Sequence, residues 1–98
     1  MNIYVVRLPM LNREKSKKYR EKHLQYLKEM REAGHILMNG PFKDGSGGMV
    51  VYRAHSMEEA ISFVEKDPYI VKGARTYEVK EWDVTWNDSI IKREYETY

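Results

Sequence analysis

The first hydrophobic run, NIYVVRL from Asn2 to Leu8, is dense in β-branched and aromatic side chains and stops at Pro9, which predicts a strand. Asn12 then stands where a helix cap belongs, and Gly34 suits a C-terminal cap, so the polar stretch between them reads as one helix to about Ala33. Tyr19, His23, Leu27 and Met30 share one side of that helix, with Leu24 and Tyr26 flanking, which puts His23 inside the apolar stripe. HILMNGPF reads as a second strand broken by Gly40 and Pro41, GGMVVYRA as a third, and KDGSGG as the hairpin loop between them. Ser56 and Glu59 form a capping box, and Met57, Ala60, Ile61 and Val64 keep helical spacing up to Asp67. Arg75 to Val84 alternates as a fourth strand.

The resulting order β-α-β-β-α-β predicts an α+β, ferredoxin-like domain with one antiparallel sheet and both helices on one face. In strands one and three, both alternating sets are apolar: Ile3 and Val5 against Tyr4, Val6 and Leu8, and Met49 and Val51 against Val50 and Tyr52. A sheet wetted on one face should alternate apolar with polar, so a second copy packed sheet to sheet is the economical cover and a homodimer is expected.

With 98 residues, 33% charged and 42% hydrophobic, the chain has the composition of one folded domain. We divide it into a domain over residues 1–84 and an added tail over 85–98, where Asn87, Asp88 or Ser89 could cap a short helix. The apolar runs are too short to span a bilayer, and the first ten residues do not fit a signal peptide, so the expectation is a cytoplasmic protein with no membrane partner. Zero cysteines exclude disulfides, thiolate nucleophiles and cysteine-based metal sites. The net charge is only +2, yet six of the ten residues from Arg13 to Lys22 are Lys or Arg; a solvated helix face explains them before an anion surface does.

Candidate chemistry centres on His23 and Asp67. An acid at the C-terminal end of a helix is mildly disfavoured by the dipole. A turn at Asp67-Pro68 would explain it, and so would a proton-donating partner. In the predicted topology the two helices run antiparallel, with Asp67 eleven residues after Ser56 and His23 eleven before Gly34. At about 1.5 Å per residue both reach a similar height, roughly 16 Å from the same end. A histidine held by a carboxylate keeps a defined tautomer and gains basicity, as general acid or base chemistry near neutral pH requires. A lone histidine in an apolar stripe can equally be a satisfied core residue. His23, His35 and His55 lack metal-ligand spacing, so no metal is expected, and the glycine cluster leads from strand to strand rather than into a phosphate-binding helix. Tyr69 and Tyr77 could line a pocket or pack in the core.

REKHLQYLKEMREAG, followed by NGPF, GGMVVY, SMEEA and DPYIVKGARTYEVKEW, resembles the YciI-like (YCII-related) family in order and over about residues 2–84. The resemblance implies a dimeric α+β barrel of ferredoxin-like subunits with an active site around a His and Asp pair, which falls here on His23 and Asp67. Gly40 and Pro41 join Tyr69 and Tyr77 as candidate pocket residues. Some relatives of that family act on ring-derived small molecules, as in dehydrochlorination of chlorinated hydroxyquinols, and muconolactone isomerase is similar in architecture. The implied function is cofactor-independent acid/base chemistry of lyase, dehydrochlorinase or isomerase type on a small organic substrate.

Two other classes stay in view. A non-catalytic ligand-binding or assembly module would use His23 and Asp67 as a structural tie. An RNA-recognition module would use Tyr4 for base stacking, but the third strand supplies Met49 and Val51 where it needs aromatics, so no nucleic-acid partner is expected.

Overall fold

A computed structural model describes residues 1–89. The elements are β1 (Asn2–Pro9), α1 (Arg13–Lys18), α2 (Arg20–Glu32), β2 (Ile36–Pro41), β3 (Gly47–Ala54), α3 (Met57–Glu65), α4 (Pro68–Val71) and β4 (Glu78–Trp82). The sheet order is β2-β3-β1-β4 with every neighbouring pair antiparallel, the ferredoxin-like arrangement. Tyr4, Val6 and Leu8 of β1 and Val50 and Tyr52 of β3 pack with Leu27 of α2 and Ala60 and Val64 of α3 into one buried cluster. Burying these apolar surfaces is the main term holding helices to sheet. Ile3, Val5 and Arg7 of β1 alternate to the other face, opposite Arg53, Val51 and Met49 of β3.

Four local expectations are corrected. The helix from Asn12 to Ala33 is two helices, broken at Tyr19, whose φ of −101° and ψ of 9° leave the helical region. Asn12 does cap α1, accepting from the Lys15 amide. Ser16 on α1 is buried and accepts from the Arg75 guanidinium, while α2 packs on β2 and α4, so each piece has its own contacts. The second strand is not broken at Gly40 and Pro41, which pair with Met49 and Gly48. β2 is an edge strand, where proline's missing N–H is tolerated, and the irregularity sits earlier, between Ile36 and Met38.

β4 is shorter than Arg75 to Val84. Its ladder with β1 runs from Ile3–Trp82 to Arg7–Glu78 and resumes only as a single Met10–Arg75 bridge. In that register Thr76 faces Pro9; the Thr76 amide reaches the Pro9 carbonyl at 3.1 Å, but proline has no N–H to return. Finally, α3 ends at Glu65 with Lys66 as its C-cap, and Asp67 belongs to the next element as the N-cap of α4, with Pro68 in its first turn. The dipole conflict expected at Asp67 is thus absent, since a carboxylate at a helix N-terminus is favoured. Of the helix expected in the C-terminal extension only Asp88 and Ser89 are described, and they are helical; the rest lies outside the described residues.

The hairpin between β2 and β3 forms as expected, closed by Phe42 N–H to the Gly47 carbonyl at 2.9 Å, with Gly45 at a φ of 77°. No helix among the described residues is long and apolar enough to cross a membrane.

Candidate active site

The site is built where α2, α4 and the β1–β3 centre of the sheet meet. His23 sits one turn into α2 and is 8% exposed; Asp67 is 1% exposed. Their side chains meet at 2.7 Å, His23 Nδ1 to Asp67 Oδ1. A carboxylate can only accept, so Nδ1–H donates and the neutral ring keeps its lone pair on Nε2. The same Asp67 oxygen accepts the Tyr69 amide at 2.9 Å, so one carboxylate both starts α4 and orients the imidazole. Pro68 makes this local geometry natural: it holds Asp67 extended, at φ −63° and ψ 127°, and opens the helical turn that turns the Tyr69 N–H back toward the carboxylate.

Tyr69 fixes the ring from another side. Its ring lies parallel to that of His23, with centroids 3.8 Å apart and planes 11° apart. The guanidinium carbon of Arg75 lies 4.6 Å from the Tyr69 ring centroid. Arg75 also donates Nη1 to the Leu8 carbonyl at 3.2 Å and Nη2 to Ser16 Oγ at 3.0 Å. Burial pulls the Arg75 guanidinium below its usual range, with Tyr69 and Asp67 opposing that shift and Arg13 adding to it.

A cavity of about 100 Å³ opens beside this assembly. His23, Tyr69 and Arg75 line it together with Arg20 and Leu24 of α2, and Gly40 and Pro41 of β2. Four of the sequence candidates, His23, Tyr69, Gly40 and Pro41, are thereby brought together, and Asp67 stands directly behind His23. Tyr77 is not: it is 37% exposed, precedes β4 and does not line the cavity. Sequence reasoning missed Arg20, Arg75 and Asn39, since nothing in spacing separates these two arginines from the other basic residues. The only sequence signal for Arg75 was its nearness to Asp67-Pro68-Tyr69.

Nearby groups feel the buried acid. Tyr26 donates to the Phe63 carbonyl at 2.7 Å, and burial, then Asp67, then Glu29 push its pKa up to about 12. Burial, with Asp67 behind it, raises the Tyr52 phenol still further. The remaining histidines stand apart: His35 packs against the Phe63 ring at 4.5 Å and His55 is exposed. No three His, Asp or Glu side chains among the described residues form a metal-ligand group. Tyr4, the aromatic that an RNA-binding face would need, is 1% exposed and belongs to the core under the helices, where it is closed to a base.

The comparisons with known proteins agree with this architecture. The uncharacterised protein YjpA of Bacillus subtilis (strain 168) is 35% identical over 60 residues, which are 61% of this chain and 71% of that protein. The 5-chloro-2-hydroxyhydroquinone dehydrochlorinase TftG from Burkholderia phenoliruptrix AC1100, solved in complex with 2,5-dihydroxybenzoquinone, has a similar structure with a TM-score of 0.72. That match covers 85% of this chain and 95% of TftG at 24% identity, a likeness of fold. The pattern of the YCII-related domain matches residues 3–83, nearly the whole sheet and helices α1 to α4, and the chain therefore belongs to the YCII-related family.

Proposed function

We propose that this protein is a cofactor-independent enzyme that acts on a small organic substrate by general acid/base chemistry of lyase, dehydrochlorinase or isomerase type. The observation that carries the reading is the 2.7 Å contact of His23 Nδ1 with a buried carboxylate, on a ring whose remaining surface lines a cavity. In this scheme Nε2 removes a proton from the substrate, and Asp67 stabilises the imidazolium that forms. In a dehydrochlorination the substrate then expels chloride, and His23 returns its proton to solvent; in an isomerisation the same proton goes back to a different atom. TftG, a dehydrochlorinase by name with a dihydroxybenzoquinone bound, supports ring-derived substrates as the first class to try.

We also propose that the working form is a homodimer joined through the helix-free sheet face.

The competing reading is a structural tie, favoured by the second bond that Asp67 accepts, from the Tyr69 amide. Screening chlorinated hydroxyquinols and small lactones separates the two. A catalytic pair requires that His23→Ala abolish any turnover found while the protein still folds. Loss of folding in both His23→Ala and Asp67→Asn, with no turnover in the wild type, would favour the tie.

A further inference from the structure

We propose that the cavity selects a small organic anion, with Arg20 and Arg75 as the residues that read its charge. The proposal rests on the reading of this cavity as a substrate site and adds the substrate's charge to it.

Two arginines line the cavity and no acidic residue does. The nearest buried acid, Asp67, has its Oδ1 already engaged by His23 Nδ1 and the Tyr69 amide. Arg75 is half-buried, yet its partners are neutral: the Leu8 carbonyl, Ser16 Oγ and the face of Tyr69. Its Nε is buried with no hydrogen-bond partner among the described residues. A guanidinium held out of bulk water without a salt-bridge partner leaves positive potential in the adjoining space. Arg20, in the first turn of α2, makes no ion pair among the described residues. Lys18 and Lys72 flank the ring of Tyr19, the residue before Arg20, at 5.4 and 5.6 Å, and extend the same sign of charge outward.

The rest of the wall is apolar where Leu8, Leu24 and Leu27 contribute. The preferred ligand therefore has a compact apolar body and one anionic oxygen group. The same two cations would stabilise negative charge that grows on a substrate as Nε2 takes its proton, so charge selection and proton abstraction support one another.

Benzoate and benzamide share shape and differ in charge, which makes them the probes. NMR titration of the wild-type protein, followed on the His23 ring signals, should show benzoate bound about ten-fold or more tightly than benzamide, and the preference should shrink as salt is added. Arg20→Gln, an exposed substitution that leaves the fold intact, should cut the preference several-fold. Arg75→Gln should do the same where thermal unfolding shows it folded; where it is not, Arg20→Gln alone decides. Equal binding of the two probes, no binding of either at millimolar concentration, or an undiminished benzoate preference in Arg20→Gln overturns the proposal. Failure of the acid/base reading looks different: the benzoate preference would stand, while turnover of every compound screened stayed absent or indifferent to His23→Ala.

Discussion

His23 and Asp67 lie 44 residues apart in the chain and 2.7 Å apart in the fold, and neither retains more than 8% of its surface in solvent. The oxygen that receives His23 Nδ1–H is also the cap of α4, so the carboxylate links α2 to the segment that carries Tyr69. Asp67→Ala removes both bonds from a buried site, and unfolding should become easier by about 2–4 kcal/mol in denaturant titrations. Asp67→Asn can keep the cap through its amide oxygen but no longer balances an imidazolium, so it should lose less stability than Asp67→Ala and lower kcat by about 100-fold or more. A titration curve for His23 that is the same in wild type and Asp67→Asn would show that the two side chains do not communicate.

The parallel stack of Tyr69 on His23 gives a second handle on orientation. Tyr69→Phe preserves the stacking ring and should leave turnover within about three-fold, whereas Tyr69→Leu frees the imidazole and should lower kcat by about ten-fold or more. Comparison of the two variants in the same assay checks it, and equal activity would remove the stack from the mechanism.

Alkaline pH should weaken the fold through Tyr26. Its pKa rises from 10.0 to about 12 on folding, so the folded state holds the phenolic proton more tightly than the unfolded chain. The associated stability is fully present below pH 10 and is lost as pH climbs toward 12. Tyr26→Phe should cost about 1 kcal/mol at neutral pH through the lost bond to the Phe63 carbonyl. Its stability curve should also fall less steeply than the wild type's between pH 10 and 12, as urea midpoints across that window would show.

The two faces of β1 should respond oppositely to charge. Val6 is 0% exposed beneath the helices, so Val6→Glu should unfold the subunit. Val5, on the helix-free face opposite Val51, should tolerate Glu within a folded subunit and convert a homodimer to monomer. Sedimentation of both variants tests this, and a wild-type protein that is monomeric at micromolar concentration would end the homodimer proposal.

Two glycines beside the site differ for a steric reason. A Cβ on Gly47, at a φ of 149°, would come within 2.3 Å of the Leu8 carbonyl oxygen, so Gly47→Ala should lower stability by about 2–4 kcal/mol. A Cβ on Gly40 would meet nothing within 4 Å, and Gly40→Ala should change stability by no more than about 0.5 kcal/mol. Thermal unfolding of the pair measures the contrast.

The sequence by itself determined the order of the elements, because strand and helix periodicities are local properties: NIYVVRL alternates about a pleat, and Ser56 with Glu59 starts a helix wherever it stands. It also determined that His23 faces the core, since its stripe includes Leu27. Counting residues from two caps placed Asp67 at the right height, and that estimate survived the break at Tyr19 because the break precedes His23. Other features depended on contacts that residue spacing does not encode. The helix pieces on either side of Tyr19 make separate contacts, Ser16 meeting an arginine 59 positions away, and the late start of β4 follows from Pro9 standing opposite Thr76. The role of Asp67 as a cap to α4 needed the chain to turn at Lys66, one residue earlier than the periodicity suggested. Arg20 and Arg75 were two basic residues among 17 until packing left them on one cavity without a carboxylate. Local patterns are set by neighbours within a turn or a strand, whereas the surroundings of a charge are set by segments that meet only when the sheet closes.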